Sequence, residues 1–315
     1  MPAAPAIRDF PCALATEPRL VMWPPQDDLA PFVSGYHLYV VDNNDGEPQR
    51  GAFEPALASL RIAVTGGAKW QLRKARGDWF TPPQVSLFGP TSEVVWSQSG
   101  AGFLVGAGIR PRCWPRLFSA PAGHWADRIS QPPFARAEAL QLIETHFSTL
   151  QSDDDVPRAF DAVIRALLHP PGADDTAIGR IEAALVDPAI TSVEELTRVT
   201  GLSLRQLQRL ARRAFGFRPK VLLRRARFLR SLHALRAAGR REGATIIDPS
   251  YTDYSHFIRD SHFFLGMSPQ AFLERDMPLL KRSLELRAKV LGTPAQVLDP
   301  VPPARSTSPG RTDLA

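Results

Sequence analysis

Two stretches fifty residues apart carry side chains suited to reading another polymer. Arg205, Gln208, Arg209, Arg212 and Arg213 follow at helical spacing between Ser203 and Phe215. Arg offers a planar fork of donors that matches guanine O6 and N7, and Gln a donor–acceptor pair that matches adenine N6 and N7. At about 100° per residue, Leu207, Leu210, Ala211 and Ala214 fall in one sector and are expected inside. Arg205, Arg209 and Arg212 lie opposite, with Gln208 on a flank. In the second stretch Phe257 and Phe264 are expected inside, with Ser255, Arg259 and His262 outside.

The 315-residue chain has a net charge of +6, and its placement matters more than its size. From Arg198 to Arg241 there are fourteen Lys and Arg and no Asp or Glu. An acid-free run of this kind suits a phosphate backbone. Phosphates or flanks are expected to be met by Ser203, Gln206, Arg212, Arg213, Arg224 and His262.

Other chemistries find less support. Gly100, Gly102, Gly106 and Gly108 form neither GxGxxG nor a P-loop, and read as strand bends or close packing. His37, His124, His146 and His169 are dispersed, with no HxH pair, and read as structural. His256 and His262, with Asp253 and Asp260, fit a recognition helix and its cap better than a metal. Cys113 beside Arg112 lacks an adjacent His or Asp, and two cysteines exclude a disulfide scaffold or a four-cysteine zinc site. Trp70, Trp79, Trp96, Trp114 and Trp125 are expected to fill cores more than line a pocket. No catalytic residue, cofactor or metal is expected, and the chain reads as no enzyme.

The positioning elements fall into stretches of different texture. Up to about residue 133 the pattern is β-type: strands are expected at 36–41, 60–65, 70–73, 85–88, 93–97 and 102–109. Asp42–Gly46 reads as a turn, and Gly66-Gly67 as the turn of a hairpin joining the second and third strands. Helical spacing then takes over, with one helix over 134–150 and another over 157–168 before His169-Pro-Pro-Gly172. Past that boundary helices dominate to about 291, and the Pro-, Ser- and Thr-rich residues 292–315 are expected as a disordered tail. Ser192 with Glu195 has capping-box spacing, followed by a buried stripe of Val193, Leu196 and Val199. Thr200-Gly-Leu-Ser203 makes a tight turn into the next helix. That is helix, glycine turn, helix.

An internal repeat strengthens this reading. Leu207, Arg209, Gly216, Pro219 and Leu223 recur fifty positions on as Phe257, Arg259, Gly266, Pro269 and Leu273. Each glycine is expected to stop a helix and each proline to start the next. Two such units joined by a helix over 219–235 resemble the DNA-binding domain of AraC-family transcriptional regulators, over about residues 176–276. The elements that carry the resemblance are Glu194-Glu-Leu196, Gly201-Leu-Ser203, Leu207-Gln-Arg209, Phe215-Gly216, Tyr251, Asp253, Ser255-His-Phe-Ile-Arg259 and Gly266-Met-Ser-Pro269. The resemblance implies base contacts by Arg205, Gln208, Arg209, Tyr254, Ser255 and Arg259, with both recognition helices in the major groove on one face of DNA.

The departures gather in the second unit. Ser250 stands where the family has a turn glycine, Pro249 falls where a helix should still run, and Ser261 replaces a buried aromatic, as Ala211 does in the first unit. The first recognition helix (203–215) is therefore expected to carry most sequence discrimination. Phe88-Gly-Pro90, Val105–Pro111 and Trp125–Arg128 are similar to an uncharacterised cupin-like N-terminal domain found with such regulators.

The expected fold is α+β and multidomain: a β-rich, cupin-like sandwich or barrel over 1–133 for sensing or dimerisation, a helical linker over 134–172, and an all-α double helix-turn-helix domain over 173–291. The expected function is sequence-specific DNA binding in transcription regulation, under a small-molecule effector. The alternative is an adaptor whose degenerate second unit has lost specific DNA binding. Promoter DNA is the main expected partner, and the layout also admits RNA polymerase and a homodimer. No segment approaches the roughly 20 apolar residues of a membrane span, and the N-terminus is no secretory signal. A membrane partner is excluded, and a cytoplasmic location follows.

Overall fold

Alternation along three long strands decides the N-terminal half. The computed structural model describes residues 9–14, 16–42, 47–66, 69–239 and 246–300. In it, β2 (Val33–Val41) and β4 (Ala58–Thr65) both pair antiparallel with β8 (Gly102–Ile109). Tyr36, Leu38, Leu60, Ile62, Val105 and Ala107 enter one apolar core. The intervening residues, among them His37, Tyr39, Arg61 and Gly106, point to the other side of the sheet. With β1 (Arg19–Trp23), β6 (Val85–Phe88) and β9 (Ile129–Ser130) the sheet has six strands in the order β1-β2-β8-β4-β6-β9. A second sheet orders β3 (Gln49–Phe53), β7 (Val95–Ser99) and β5 (Trp70–Lys74), and all pairings are antiparallel. The β-rich N-terminal sandwich followed by helices is thus the architecture of the chain.

One expected pairing is corrected. β4 and β5 do not form a hairpin, because β4 pairs with β6 and β8 whereas β5 pairs with β7 in the other sheet. Gly66, at φ +68°, turns the chain from one sheet to the other, and its N–H donates to Asp9 Oδ1 at 2.7 Å. Gly67, and residues 43–46 of the expected turn, lie outside the described residues.

Helices cover the outer face of the large sheet. After the short α1 (Trp114–Leu117), α2 (Ala139–Phe147) and α3 (Asp155–Leu167) pack there, with Phe160 stacked on Tyr36 and edge-on to Phe147. Residues 134–172, expected as a linker, supply this layer. The helix expected from 134 starts only at Ala139, because Phe134 is held extended in a bridge to Phe118.

The C-terminal half comprises α4 (Asp175–Val186), α5 (Val193–Thr200), α6 (Leu204–Leu210), α7 (Pro219–Ala238), α8 (Tyr254–Leu265), α9 (Pro269–Leu273) and α10 (Pro278–Leu291). A wider π-type turn, Ala211–Phe215, prolongs α6. The fifty-residue repeat holds in detail. Gly216 and Gly266 stop their helices at φ +85° and +74°, the left-handed region that disfavours side chains, and Pro219 and Pro269 open the next helices. The stripe of α5 is corrected at one place: Thr200 is buried and Val199 exposed, since the Thr200 hydroxyl donates to Leu196 O inside the turn.

The two halves share a core and several buried charges. Leu57, Val94 and Trp96 of the sandwich pack with Phe228, Phe264 and Phe272. Arg225, 2% exposed, reaches from α7 to donate through Nη1 to Ala56 O and Thr91 O, both at 2.8 Å. Glu54, just after β3, accepts from Arg236 at 2.5 Å and pairs with His233 at 3.1 Å, both on α7. Arg110 pairs with Glu182 of α4 at 3.0 Å, both buried. Beyond α9 the chain returns to the sandwich, where α10 lies against β1 and β3. The tail expected from 292 begins later: Ala295, Val297 and Asp299 are buried, and Arg287 holds Asp299 through two hydrogen bonds. Residues 301–315 lie outside the described residues.

Burial alone would push the Glu54 carboxyl up, but the charges of His233 and Arg236 and their hydrogen bonds overrule it and hold it at about 2. Its stabilising contribution is complete above the ordinary carboxyl value of 4.5 and is lost as pH falls from there towards 2. Glu54→Ala is expected to cost about 3 kcal/mol at pH 7. It should also flatten stability against pH between 4.5 and 2, which denaturant unfolding at a series of pH values will show.

Candidate nucleic-acid interface

The first helix-turn-helix is built by two successive capping boxes. Ser192 caps α5, its hydroxyl accepting from Glu195 N at 3.1 Å while Glu195 accepts from Ser192 N at 3.0 Å. Ser203 caps α6 with Gln206 in the same reciprocal arrangement. Such caps fix where each helix starts, and each is worth about 1 kcal/mol. Gly201 provides the turn between them at φ +64°. Ser203 and Gln206, expected to meet phosphates, thus have their side chains engaged in the cap. The structure reveals this second use of Gln206, and the spacing Ser203–Gln206 is its signal in the sequence.

Leu207, Leu210, Ala211 and Ala214 are buried, and Arg205, Gln208, Arg209, Arg212 and Arg213 form the exposed face. Arg205 and Arg212 carry no ion pair among the described residues. Arg209 instead makes a two-pronged contact with Asp174, at 3.0 and 3.1 Å, and Arg213 reaches the same carboxylate at 3.1 Å. The Arg209 hydrogen bond, with the charges of both arginines, holds Asp174 below the usual carboxylate range. Across a groove of about 790 Å³ the face looks onto Trp114, Pro115 and Phe118–Pro121 of the sandwich half. Leu204 is half exposed and matches Tyr254 across the repeat. Exposed apolar groups at those places suit a thymine methyl.

The second unit is assembled differently. Among the described residues no helix stands between α7 and α8; Asp248-Pro-Ser250 forms a turn instead. Ser250 donates its N–H and hydroxyl to Asp248 Oδ1, Arg230 of α7 donates to Oδ2 at 2.9 Å, and Asp248 N donates to Ser231 Oγ. Pro249 is compatible with this turn and not with a helix interior. Asp253 caps α8, accepting from His256 N at 2.7 Å. Tyr254, Ser255, Arg259 and His262 are exposed on α8, while Phe257 and Phe264 are buried. Ser261, in place of an aromatic, is fully buried and donates to Met267 O at 2.7 Å, tying the helix to its terminal turn.

Asp260 organises this unit. It is fully buried and accepts from Arg224 at 2.5 Å, Arg227 at 3.2 Å and the Tyr251 hydroxyl at 2.8 Å. Burial and then the Asp260 charge push the Tyr251 hydroxyl well up, which keeps it a donor. The sequence signal for Asp260 is that it stands where the first unit has buried Leu210. Arg224, expected at a phosphate, is in this ion pair and stacks on Phe263. A groove of about 630 Å³ separates the N-terminus of α5 from α8, lined by Lys220, Arg224, Arg227, Arg230 and Arg259 together with Glu194 and Asp260. It is a basic channel between the two units.

Two other expectations meet the geometry here. Burial pushes the Cys113 thiol well above its ordinary value, the opposite of an activated nucleophile. Trp114 fills the sandwich core as expected, and Trp70 lines a cavity between the two sheets.

Residues 196–275 match the model of a family described as a helix-turn-helix domain. That segment carries the motifs of the resemblance to AraC-type regulators, and the resemblance holds there. No curated relative matches the chain. Among solved structures the chain is similar to ToxT from Vibrio cholerae. An apo form of ToxT with a single substitution is 14% identical, with 76% of this chain and 96% of that one covered at a TM-score of 0.41. The form bound to (E)-4-(8-methylnaphthalen-1-yl)but-3-enoic acid is 11% identical, with coverage of 81% and 98% and a TM-score of 0.40. A wild-type ToxT bound to an unsaturated fatty acid is 11% identical, with coverage of 82% and 97% and a TM-score of 0.39.

Because Asp174 pairs with Arg209 and Arg213 of the exposed face, Asp174→Asn is expected to strengthen binding to any duplex several-fold at low salt. The gain should shrink as salt rises, since exposed pairs and phosphate contacts are both screened. Fluorescence anisotropy with an arbitrary duplex at about 50 and about 200 mM salt checks this. Equal binding by both forms would mean that Asp174 leaves the face free.

Proposed function

We propose that this chain is a sequence-specific DNA-binding transcriptional regulator that works in the cytoplasm and answers to a small-molecule effector held by its N-terminal sandwich. The observation that carries the reading is the exposed Arg205–Arg213 face on a capped helix whose opposite side is buried, matched fifty residues later by Ser255, Arg259 and His262 exposed on α8. A protein helix presented in this way fits the major groove. Arg205, Gln208 and Arg209 read bases, with Arg212 and Arg213 at flanking phosphates. The basic channel between α5 and α8 takes the backbone between the two reading segments.

The two units share the work unequally. The first rests on two caps and a glycine turn, whereas the second is anchored to α7 through Asp248 and Asp260 and takes much of the basic charge of α7 into ion pairs. Arg259 remains free of ion pairs among the described residues and contributes mainly backbone contact. The layout of the chain supports the effector reading: a cavity lies between the two sheets of the sandwich, walled in part by α10, and buried contacts join the sandwich to α7.

The experiment compares Arg209→Ala with Arg259→Ala on the DNA upstream of the gene and on a scrambled duplex. Arg209→Ala is expected to cost about 1–3 kcal/mol on the specific site and less on the scrambled one. Arg259→Ala should weaken both duplexes alike. Equal, sequence-independent losses for both variants would overturn the division of labour. Wild-type affinities that match on the two duplexes and collapse together with salt would overturn sequence-specific reading itself.

A further inference from the structure

The inner face of the large sheet holds a positive charge with nothing to neutralise it. Arg61, on β4, is 9% exposed, with its Nε donating to Ser59 Oγ at 3.2 Å. Its guanidinium lies 3.8 Å from the ring centre of Phe53 and 4.5 Å from that of Phe88. Nη1 is sealed from solvent and has no hydrogen-bond partner, and no carboxylate pairs with the group among the described residues. Burial lowers its pKa to about 10, so it is a cation at neutral pH. A buried lone ion is costly, and aromatic faces offset only part of that cost.

The surroundings have the shape of a ligand seat. Arg61 lines a cavity of about 180 Å³ between the two sheets, with Phe53 and Trp70 on the small-sheet side and Gly35 and Gly108 on the large-sheet side. The other charges at its wall are neutralised: Arg287 is bonded to Asp299, and Glu54 to Arg236 and His233. His37 is pushed well below its ordinary value by burial and then by Arg61 and Arg287, so it stays neutral. Its Nε2 is likewise buried without a partner. One cation, one neutral imidazole and an otherwise mainly apolar wall suit a single negative charge carried on an apolar body. The guanidinium fork matches a carboxylate in particular.

The remaining wall comes from beyond the helix-turn-helix segment. Leu280, Ser283, Leu284, Arg287 and Leu291 of α10 and then Gln296 close the cavity. The sheet is cleared to receive them. A Cβ on Gly35 would stand 2.5 Å from Leu291 Cδ1, and one on Gly108 would stand 2.7 Å from Gln296 Nε2. Tyr39 and Ser283 share a 2.8 Å hydrogen bond across the joint.

We propose that this cavity binds a small organic monocarboxylate with an aliphatic or aromatic body, its carboxylate on Arg61 and its enclosure completed by α10. The inference deepens the effector reading above and rests on it for its regulatory meaning. α10 follows the second unit after only four residues, so a ligand held against α10 would bear on α9 and α8.

The test is calorimetric titration of the full chain with octanoate, 1-naphthoate, octanol and inorganic phosphate. At least one carboxylate is expected to bind ten-fold or more tightly than octanol, with no measurable phosphate binding. In Arg61→Met octanoate should fall to the octanol level while octanol itself is unchanged. Should that variant fail to fold, the octanoate-to-octanol ratio of the wild type decides alone. Equal binding of octanoate and octanol, phosphate binding as tightly as the carboxylates, or no binding at millimolar concentration overturns the site. Hydrogen exchange over 278–299 is expected to slow with the carboxylate bound, and unchanged exchange removes α10 as the closing wall. Mobility shift with upstream DNA is scored separately. Carboxylate binding without sequence-selective DNA binding leaves the site standing and overturns the regulator reading; the reverse result does the opposite.

Discussion

Guanidinium groups withdrawn from water must find acceptors, and in this chain that requirement fixes how the helices stand on the sandwich. Among the described residues the acceptors Arg225 finds are the carbonyls of Ala56 and Thr91, and its contact positions the middle of α7. Arg236 and His233 on Glu54 position the following turns of the same helix. From α7 the constraint passes outward: Arg224 and Arg227 hold Asp260 on α8, and Arg230 holds Asp248 at its approach. The orientation of α8 is thus set by a chain of buried or half-buried charges. Removing one partner leaves the other desolvated, so these joints are strongly directional. Apolar packing through Phe228, Phe264 and Trp96 fills the same interface without specifying it so narrowly.

This reallocates the charge that is conspicuous in the sequence. Along the chain, 198–241 is a stripe without acids, and its simplest meaning is phosphate binding. In space the acids arrive from elsewhere: Asp174 before α4, Glu54 after β3, and Asp248 and Asp260 from the second unit. Helical periodicity shows which arginines leave the core of their own helix, but not which carboxylate a separate element delivers. Among the described residues Arg205 and Arg212 carry no ion pair, while Arg209 and Arg213 are paired with Asp174 and Arg224 with Asp260.

Local signals were legible where the chemistry is local. Capping boxes, stop glycines and start prolines are written within four residues, and α5 to α9 follow them closely. The strands at 85–88 and 102–109 were readable because alternation and turn residues bound them tightly. Pairing was not, since Gly66 can close a hairpin or carry the chain between sheets, and only distant partners such as Asp9 and Phe103 decide. β1 and β3 carry no comparable local signal, because Arg19–Trp23 and Gln49–Phe53 are short and owe their place to β2 and β7. The cavity was invisible for a related reason. Glycines at 106 and 108 read as close packing, and part of what packs against Gly108, beside Ser34 of the next strand, comes from as far away as residue 296.

The return of the chain to the sandwich after α9 bears on modularity. Residues 276–300 lie beyond the segment that matches a helix-turn-helix family, yet they cover a sheet belonging to the first third of the chain. A fragment cut at 275 would keep both recognition helices while stripping Leu280, Leu291 and Gln296 from their seats, baring a face built from glycines and one lone arginine. A fusion appended at 275 would meet the same face. The unit that recombination could pass on intact is therefore the sandwich together with its own distant C-terminus, with the helix-turn-helix pair inserted between them as a loop would be.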